Sequence, residues 1–294
     1  MTHVATLIGP PDALTPATLA LARAALPGTR EPKRLGPDAA DIFFNLEAGA
    51  NQRAIAEHLH DLVPGIDVVV QPAAIRRKKL FLADMDTTMI GQECIDELAD
   101  FVGLKAHVAA ITERAMRGEI AFEPALRERV ALLEGLPVKV IEDVIRNHIT
   151  LTPGGRTLVA TMRANGAYTC MVSGGFTLFT QPIAAMIGFD DSRGNTLTVD
   201  DDLLAGRVDE PIFGRQQKRA TLIELRTRLG LAKHETLVAG DGANDLDMIA
   251  EAGLGVAYHA KPAVAAAAAA RIDHRDLTAL LYVQGYKHEE FVDA

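Results

Sequence analysis

Leu80–Thr88 reads LFLADMDTT: four apolar residues stop at one acid, and a second acid follows two positions later. A short continuous apolar run bounded by polar residues has the character of a strand buried on both faces, as in a parallel sheet covered by helices. Two further runs have this form. Tyr168–Val172 stops at Ser173, and Thr236–Ala239 stops at Gly240 before Asp241. Helical stretches separate the three, so the expected fold class is α/β, a doubly wound parallel sheet. In such sheets ligands sit beyond the carboxyl ends of the strands, which brings Asp84, Ser173 and Asp241 to one crevice.

Outward from this core, the chain from Ile95 to Ile149 has helical periodicity and no strand candidate. A crossover needs only about a dozen residues, so a helical cap inserted over the crevice is expected at about 95–150. TLTVDDDLLAGRV, Thr196–Val208, alternates as a β-hairpin with Asp200–Asp202 at its turn. AVAAAAAA, Ala263–Ala270, follows Lys261 and Pro262 and is expected to be an ordered helix. Upstream, Val4–Ile8, a helical pattern over Thr15–Leu26, strands near Arg34 and at Ile42–Leu46, a helix over Asn51–Leu62 and the run Ile66–Val70 give the order βαββαβ. That is the ferredoxin-like α+β order. Gln71, Pro72 and the basic stretch Arg76–Lys79 read as a linker, so two units are expected, 1–73 and 74–294.

Composition narrows the function. The chain has 294 residues, 48% of them hydrophobic, and a net charge of −9 with no Lys/Arg-rich block to neutralise a row of phosphates, which argues against nucleic acid. Ala263–Ala270 is the longest apolar run, well below the roughly 20 residues that span a bilayer, and no membrane partner is expected. The first residues, MTHVATLIGPPD, have neither the basic nor the apolar part of a secretory signal, so a cytosolic protein is expected. Cys94 and Cys170 have no CxxC spacing and are expected to be buried free thiols.

Asp84 and Asp86 repel each other in a low-dielectric crevice unless a cation sits between them. In GDGANDLD, Gly240–Asp247, the residues Asp241, Asn244 and Asp245 add oxygen ligands on a loop that turns tightly. A hard divalent ion suits such a set, and Mg2+ binds through one or two carboxylates plus a substrate phosphate. Ser173, Gly174 and Gly175 offer a hydroxyl and open backbone N–H groups to an anion, and Lys218 in RQQKRA offers a point charge.

In order, DMDTT, a helical insert, VSGG, a Lys opening a helix and GDGAND resemble the four motifs of the haloacid dehalogenase-like phosphohydrolases, over roughly Lys79–Leu281. Within that superfamily the chain resembles the phosphoserine phosphatase family. GQECIDELAD puts Glu93 at the acid that binds the substrate amino group there, and ITERAMRGEIAFEPALRERVALL puts Met116, Phe122 and Arg129 at substrate-contact positions. Ser173 and Gly174 match the phosphate-binding pair. Thr87 stands where Ser is commoner and keeps the hydroxyl.

The resemblance implies hydrolysis of O-phospho-L-serine to serine and phosphate, the last step of serine biosynthesis. Asp84 would be the nucleophile that forms an aspartyl-phosphate, and Asp86 the general acid and then base. Mg2+ would be held by Asp84, Asp241 and the backbone carbonyl of Asp86. Lys218 and Ser173 would contact the phosphoryl oxygens, Thr88 and Asn244 would orient these groups, and Asp245 would support Lys218. Glu93 and Arg129 are the acid and base that an ammonium and a carboxylate require. Other readings within reach of the motifs are a related phosphatase, a phosphotransferase to another alcohol, or an inactive amino-acid-binding regulator. Residues 1–73 resemble the ACT fold in element order, which suggests serine sensing or the contacts of a homodimer.

Overall fold

The computed structural model describes residues 1–47 and 49–293. Its first sheet is antiparallel, in the order β2-β3-β1-β4, from β1 (His3–Ile8), β2 (Lys33–Arg34), β3 (Ala39–Phe44) and β4 (Asp67–Pro72). Helix α1 (Pro16–Ala24) starts on the Thr15 hydroxyl with Pro in its first turn, and α2 (Gln52–Leu62) starts on the Asn51 side chain. Strand alternation sends Ala5, Leu7, Ala40, Ile42, Val68 and Val70 into a core shared with Leu19, Ala22, Ala56 and Leu59. The βαββαβ order is therefore present. Boundaries differ by a few residues: β3 runs Ala39–Phe44 rather than Ile42–Leu46, because Ala39 and Ala40 pair with Ile8 and Leu7. Strand β4 runs on through Gln71 and Pro72, read from the sequence as linker, because they pair with Val4 and His3.

The other face of this sheet carries Val69 and the buried Thr6–Asp41 hydrogen bond of 2.8 Å, and the C-terminal chain covers it. The buried Asp67 carboxylate accepts main-chain N–H groups of Asp273 at 2.7 Å, His274 at 3.2 Å and Arg275 at 2.9 Å. Gln71 donates to the Val283 carbonyl at 2.7 Å, and Arg275 pairs with Asp38 at 2.7 Å. These contacts join the small sheet to the rest of the chain.

After β5 (Leu80–Ala83) the chain enters four helices: α3 (Cys94–Asp100), α4 (Lys105–Met116), α5 (Phe122–Ala131) and α6 (Val140–Asn147). Helix α7 (Gly155–Ala164) leads back to β6 (Tyr168–Phe176), α8 (Thr177–Ile187) to β7 (Asp191–Asn195). A hairpin follows, β8 (Leu197–Asp200) and β9 (Leu203–Val208), with Asp201 and Asp202 at φ 48° and 63°, the positive values of a tight two-residue turn. It docks on the cap, since Gly135 N–H donates to the Leu204 carbonyl and Leu204 N–H to the Leu136 carbonyl, both at 2.8 Å. Helix α9 (Arg215–Arg228), β10 (Thr236–Gly240), α10 (Leu246–Glu251), β11 (Leu254–Tyr258), α11 (Pro262–Ala267), β12 (Ala270–Ile272) and α12 (Ala279–Val283) complete the chain.

The large sheet is parallel throughout, in the order β12-β11-β10-β5-β6-β7. Two apolar cores, one on each face, bury every residue of β5 and β10, which explains their unbroken apolar runs. Three strands escaped the sequence reading. The polar DSRGN of β7 lies at an edge, and β11 and β12 follow Gly- and Ala-rich stretches. The alanine helix ends at Ala267 rather than Ala270, because Ala270 pairs with Val256 of β11. Strand β6 continues past Ser173 to Phe176 through an irregular register. The direction of winding reverses between β5 and β10, and the crevice at that switch point opens beside Asp84 and Asp241. Among the described residues no helix is long and apolar enough to cross a membrane.

Candidate active site

Strand β5 delivers Asp84 to the crevice, where its Oδ1 accepts the Met85 N–H at 2.8 Å and the Lys218 ammonium at 2.6 Å. Lys218, wholly buried in the second turn of α9, also donates to Asp245 Oδ1 at 2.8 Å. The other oxygen of Asp245 accepts the Asp241 and Gly242 N–H groups, each at 3.1 Å, so this residue ties the GDGAND loop to Lys218 with both oxygens committed. Asp241 in turn accepts the Thr87 hydroxyl at 2.7 Å and the Thr88 hydroxyl at 3.1 Å. Thr87 sits at φ 52°, an uncommon conformation for a β-branched residue, and that backbone carries its hydroxyl to Asp241.

Asp86 turns elsewhere. Its Oδ1 accepts the Cys94 N–H at 2.9 Å and its Oδ2 the Ser173 hydroxyl at 3.0 Å, while Ser173 Oγ accepts the Gly175 N–H at 2.8 Å. The side chain of Asp86 therefore stands apart from the Asp84, Asp241 and Asp245 group, whose carboxylate oxygens lie within 4.8 Å of one another. Only a main-chain oxygen of residue 86 remains for the metal role expected of it.

The electrostatics are lopsided: a group of buried acids faces one buried ammonium. Burial and then Asp245 push the Asp84 carboxyl well above the usual carboxylate range, with Lys218 pulling the other way. Burial and Asp245 push Asp241 up to about 6. Burial alone would lower the Lys218 ammonium, but Asp245 and Asp84 outweigh it and hold the ammonium above its ordinary range. An oxygen-only donor set with surplus negative charge fits a hard divalent cation. The carboxylates of Asp84, Asp241 and Asp245 are the ones placed to hold it.

Above these groups the cap closes over a pocket of only about 20 Å³, room for little more than one water molecule, so the cap has to open to admit a substrate. Asp84, Asp86, Ser173 and Gly174 line its floor; Glu93, Met116, Phe122, Arg129 and Asn244 line the rest with Ile95 and Leu126. The fit is tight at two glycines. A Cβ on Gly174 would lie 2.5 Å from Phe122 Cζ, and one on Gly242 would lie 2.9 Å from Met116 Sδ. The floor admits the cap side chains because it has no side chains there. Burial, reinforced by Asp86, holds the Glu93 carboxyl well above its ordinary range. The structure thus brings together every residue singled out from the sequence. Two side chains behind the pocket wall, Asp96 and Thr112, gave no sequence signal, being an acid and a hydroxyl on amphipathic helices. Asn195 gave none either, yet it joins the Gly174 carbonyl at 2.8 Å to the Phe213 carbonyl at 3.0 Å, just before α9. Cys94 and Cys170 are buried free thiols.

Comparisons with known proteins agree with this geometry. The model of the haloacid dehalogenase-like hydrolase family matches residues 81–250. The chain is 45% identical over 228 residues to a protein named phosphoserine phosphatase from Polaromonas sp., covering 75% of this chain and 97% of that one. It is 36% identical over 264 residues to phosphoserine phosphatase of Saccharomyces cerevisiae, covering 88% of this chain and 85% of the relative. A solved HAD family hydrolase from Salmonella enterica serovar Typhi superposes with a TM-score of 0.85 at 28% identity, over 98% of this chain and 99% of the other, so the likeness extends through the N-terminal sheet. Four motifs at one crevice, a matching family model and relatives above 30% identity lead to one statement: this chain belongs to the haloacid dehalogenase-like hydrolase family.

Proposed function

We propose that the protein is a phosphoserine phosphatase, which hydrolyses O-phospho-L-serine to serine and phosphate. One observation carries the substrate: a closed pocket whose floor presents acids and the Ser173 hydroxyl, while its lid side presents one acid, Glu93, and one base, Arg129. Phosphoserine has a phosphate at one end and an ammonium and a carboxylate at the other, so each charge finds its complement. The names of the Polaromonas and yeast relatives support the same reading.

In this reading Asp84 attacks phosphorus and takes the phosphoryl group onto its carboxylate while the serine oxygen leaves, which splits one difficult displacement into two. Asp86, aligned by the Cys94 N–H and the Ser173 hydroxyl, gives its proton to that oxygen. It then removes a proton from the water that cleaves the aspartyl-phosphate. Lys218 and the Ser173–Gly175 turn balance charge on the phosphoryl oxygens, and Asn244 helps to orient them. Mg2+, held by Asp84, Asp241 and the main chain of Asp86, supplies further charge neutralisation when bound. Met116 and Phe122 exclude water as the lid closes. We place the boundary between the N-terminal unit and this catalytic unit near residue 73, where β4 ends.

The test is phosphate release from O-phospho-L-serine against a panel of sugar and nucleotide phosphates, with and without Mg2+. Phosphoserine is expected to lead the panel, and Asp84→Asn to abolish turnover with the fold intact. A sugar phosphate or nucleotide turned over more efficiently, or substantial residual activity in Asp84→Asn, would overturn the assignment.

A further inference from the structure

Arg129 is almost fully buried, 2% exposed, and lines the pocket beside the apolar Ile95 and Leu126 and the Glu93 carboxyl. A guanidinium in such a place needs partners on its fork, and this one has them on two of its three nitrogens. Nε donates to the Ala125 carbonyl of its own helix at 3.0 Å, and Nη1 donates to the Thr112 hydroxyl of α4 at 2.8 Å. Nη2 is buried with no partner. The Thr112 hydroxyl has one proton, and two acceptors compete for it: Asp96 Oδ1 of α3 at 2.7 Å and the Val108 carbonyl at 3.0 Å. Because Arg129 occupies a lone pair of that oxygen, its proton goes to the closer and charged acceptor. The result is a directed chain, Arg129 to Thr112 to Asp96, running across three cap helices. It satisfies two nitrogens of the guanidinium and leaves the third unpaired on a side chain that lines the pocket.

We propose that Thr112 and Asp96 are positioning residues for substrate selection, holding Arg129 so that its one unpartnered nitrogen is kept for the carboxylate of the substrate. Neither residue touches the pocket. Asp96 supplies a counter-charge behind the arginine and Thr112 passes it on through a fixed hydrogen bond, so the guanidinium is desolvated and oriented before substrate arrives. Without Thr112 the buried fork loses its Nη1 partner and can rotate toward the Glu93 carboxylate, its strongest attractive neighbour. Its hold on the substrate carboxylate then weakens.

The proposal rests on the phosphoserine reading, and the experiment separates the two. KM and kcat are measured for O-phosphoserine and for O-phosphoethanolamine, which keeps the phosphate and the ammonium but has no carboxylate. Thr112→Val, equal in shape and lacking the hydroxyl, is expected to raise KM for phosphoserine about tenfold, the scale of a hydrogen bond to a charged group, and to leave KM for phosphoethanolamine within about twofold. Thr112→Ser is expected to restore selectivity. Asp96→Asn, which keeps an acceptor but drops the charge, is expected to show the same selective defect at smaller size. In an Arg129→Ala background, Thr112→Val is expected to add nothing. Equal KM increases on both substrates, or none on either, would overturn the positioning role. If Arg129→Ala itself fails to distinguish the two substrates, the carboxylate reading of the pocket falls, and the relay with it.

Discussion

Gly174→Ala tests whether the cap must seat on the phosphate loop for turnover. A Cβ at residue 174 would stand 2.5 Å from Phe122 Cζ and 3.1 Å from Cε2, whereas carbon atoms rest at roughly 3.5–4.0 Å. The ring must retreat by about 1 Å, and because Phe122 opens α5 on the cap, the retreat is expected to loosen the seating of that end of the cap. Overpacking of this size costs about 1–3 kcal/mol in the closed arrangement. An open cap feels none of it. Closure is thereby disfavoured about 5- to 150-fold, and kcat/KM for phosphoserine is expected to fall by a factor in that range while the thermal unfolding midpoint stays close to that of the parent. Phe122→Leu, which trims the ring, is expected to recover much of the loss in the Gly174→Ala background. Parental kcat/KM in Gly174→Ala, or no recovery in the double variant, would refute the seating argument and point to a direct effect of the methyl on the substrate phosphate.

Two further outcomes follow from buried charge. Asp241 is raised to about 6, so without metal the folded chain keeps a proton there that the unfolded chain has released by about pH 4. Its contribution favours the folded state below that pH and is lost as pH rises through 6. Mg2+ requires the deprotonated carboxylate, so affinity measured by calorimetry is expected to fall below pH 6 by up to about tenfold per unit, and chelation to inactivate the enzyme until Mg2+ is returned. Affinity that is flat from pH 5 to 7.5 would contradict this. At the junction with the N-terminal sheet, Asp67→Ala removes the acceptor of three main-chain N–H groups, at about 1–3 kcal/mol for each that stays buried. A clear fall in the unfolding midpoint and faster proteolysis in the 73–79 stretch are expected, with Asp67→Asn milder, and an unchanged midpoint would show that the junction is held by other contacts.

Much of the molecule was legible because its signals are local. Apolar runs that end in an acid or a hydroxyl mark buried parallel strands, since only a strand covered on both faces excludes polar residues along its length. Asp84, Ser173 and Asp241 were identified in this way, the cap by its helical periodicity, and Lys218 by its place in the ordered set of motifs. Elements whose sequence carries little apolar pattern were missed or trimmed, such as the edge strand Asp191–Asn195 and the last turn of the alanine run. The side chain of Asp86 illustrates the limit. A two-residue separation from Asp84 says nothing about which way that side chain turns, and it turns toward Ser173 and Cys94.

By itself, then, the chain's order of residues determined the doubly wound architecture, the presence of a lid and the chemical types gathered at the strand ends, because backbone periodicity and solvent exclusion act over a few neighbouring positions. Tertiary structure alone decided how those groups share their hydrogen bonds. Asp245 spends both oxygens on a loop and a lysine, Thr87 and Thr88 clamp Asp241, and Arg129 leans on Asp96 through Thr112. Each partner comes from a different helix, strand or turn, and a buried polar atom takes whichever partner the packing of distant segments brings within about 3 Å.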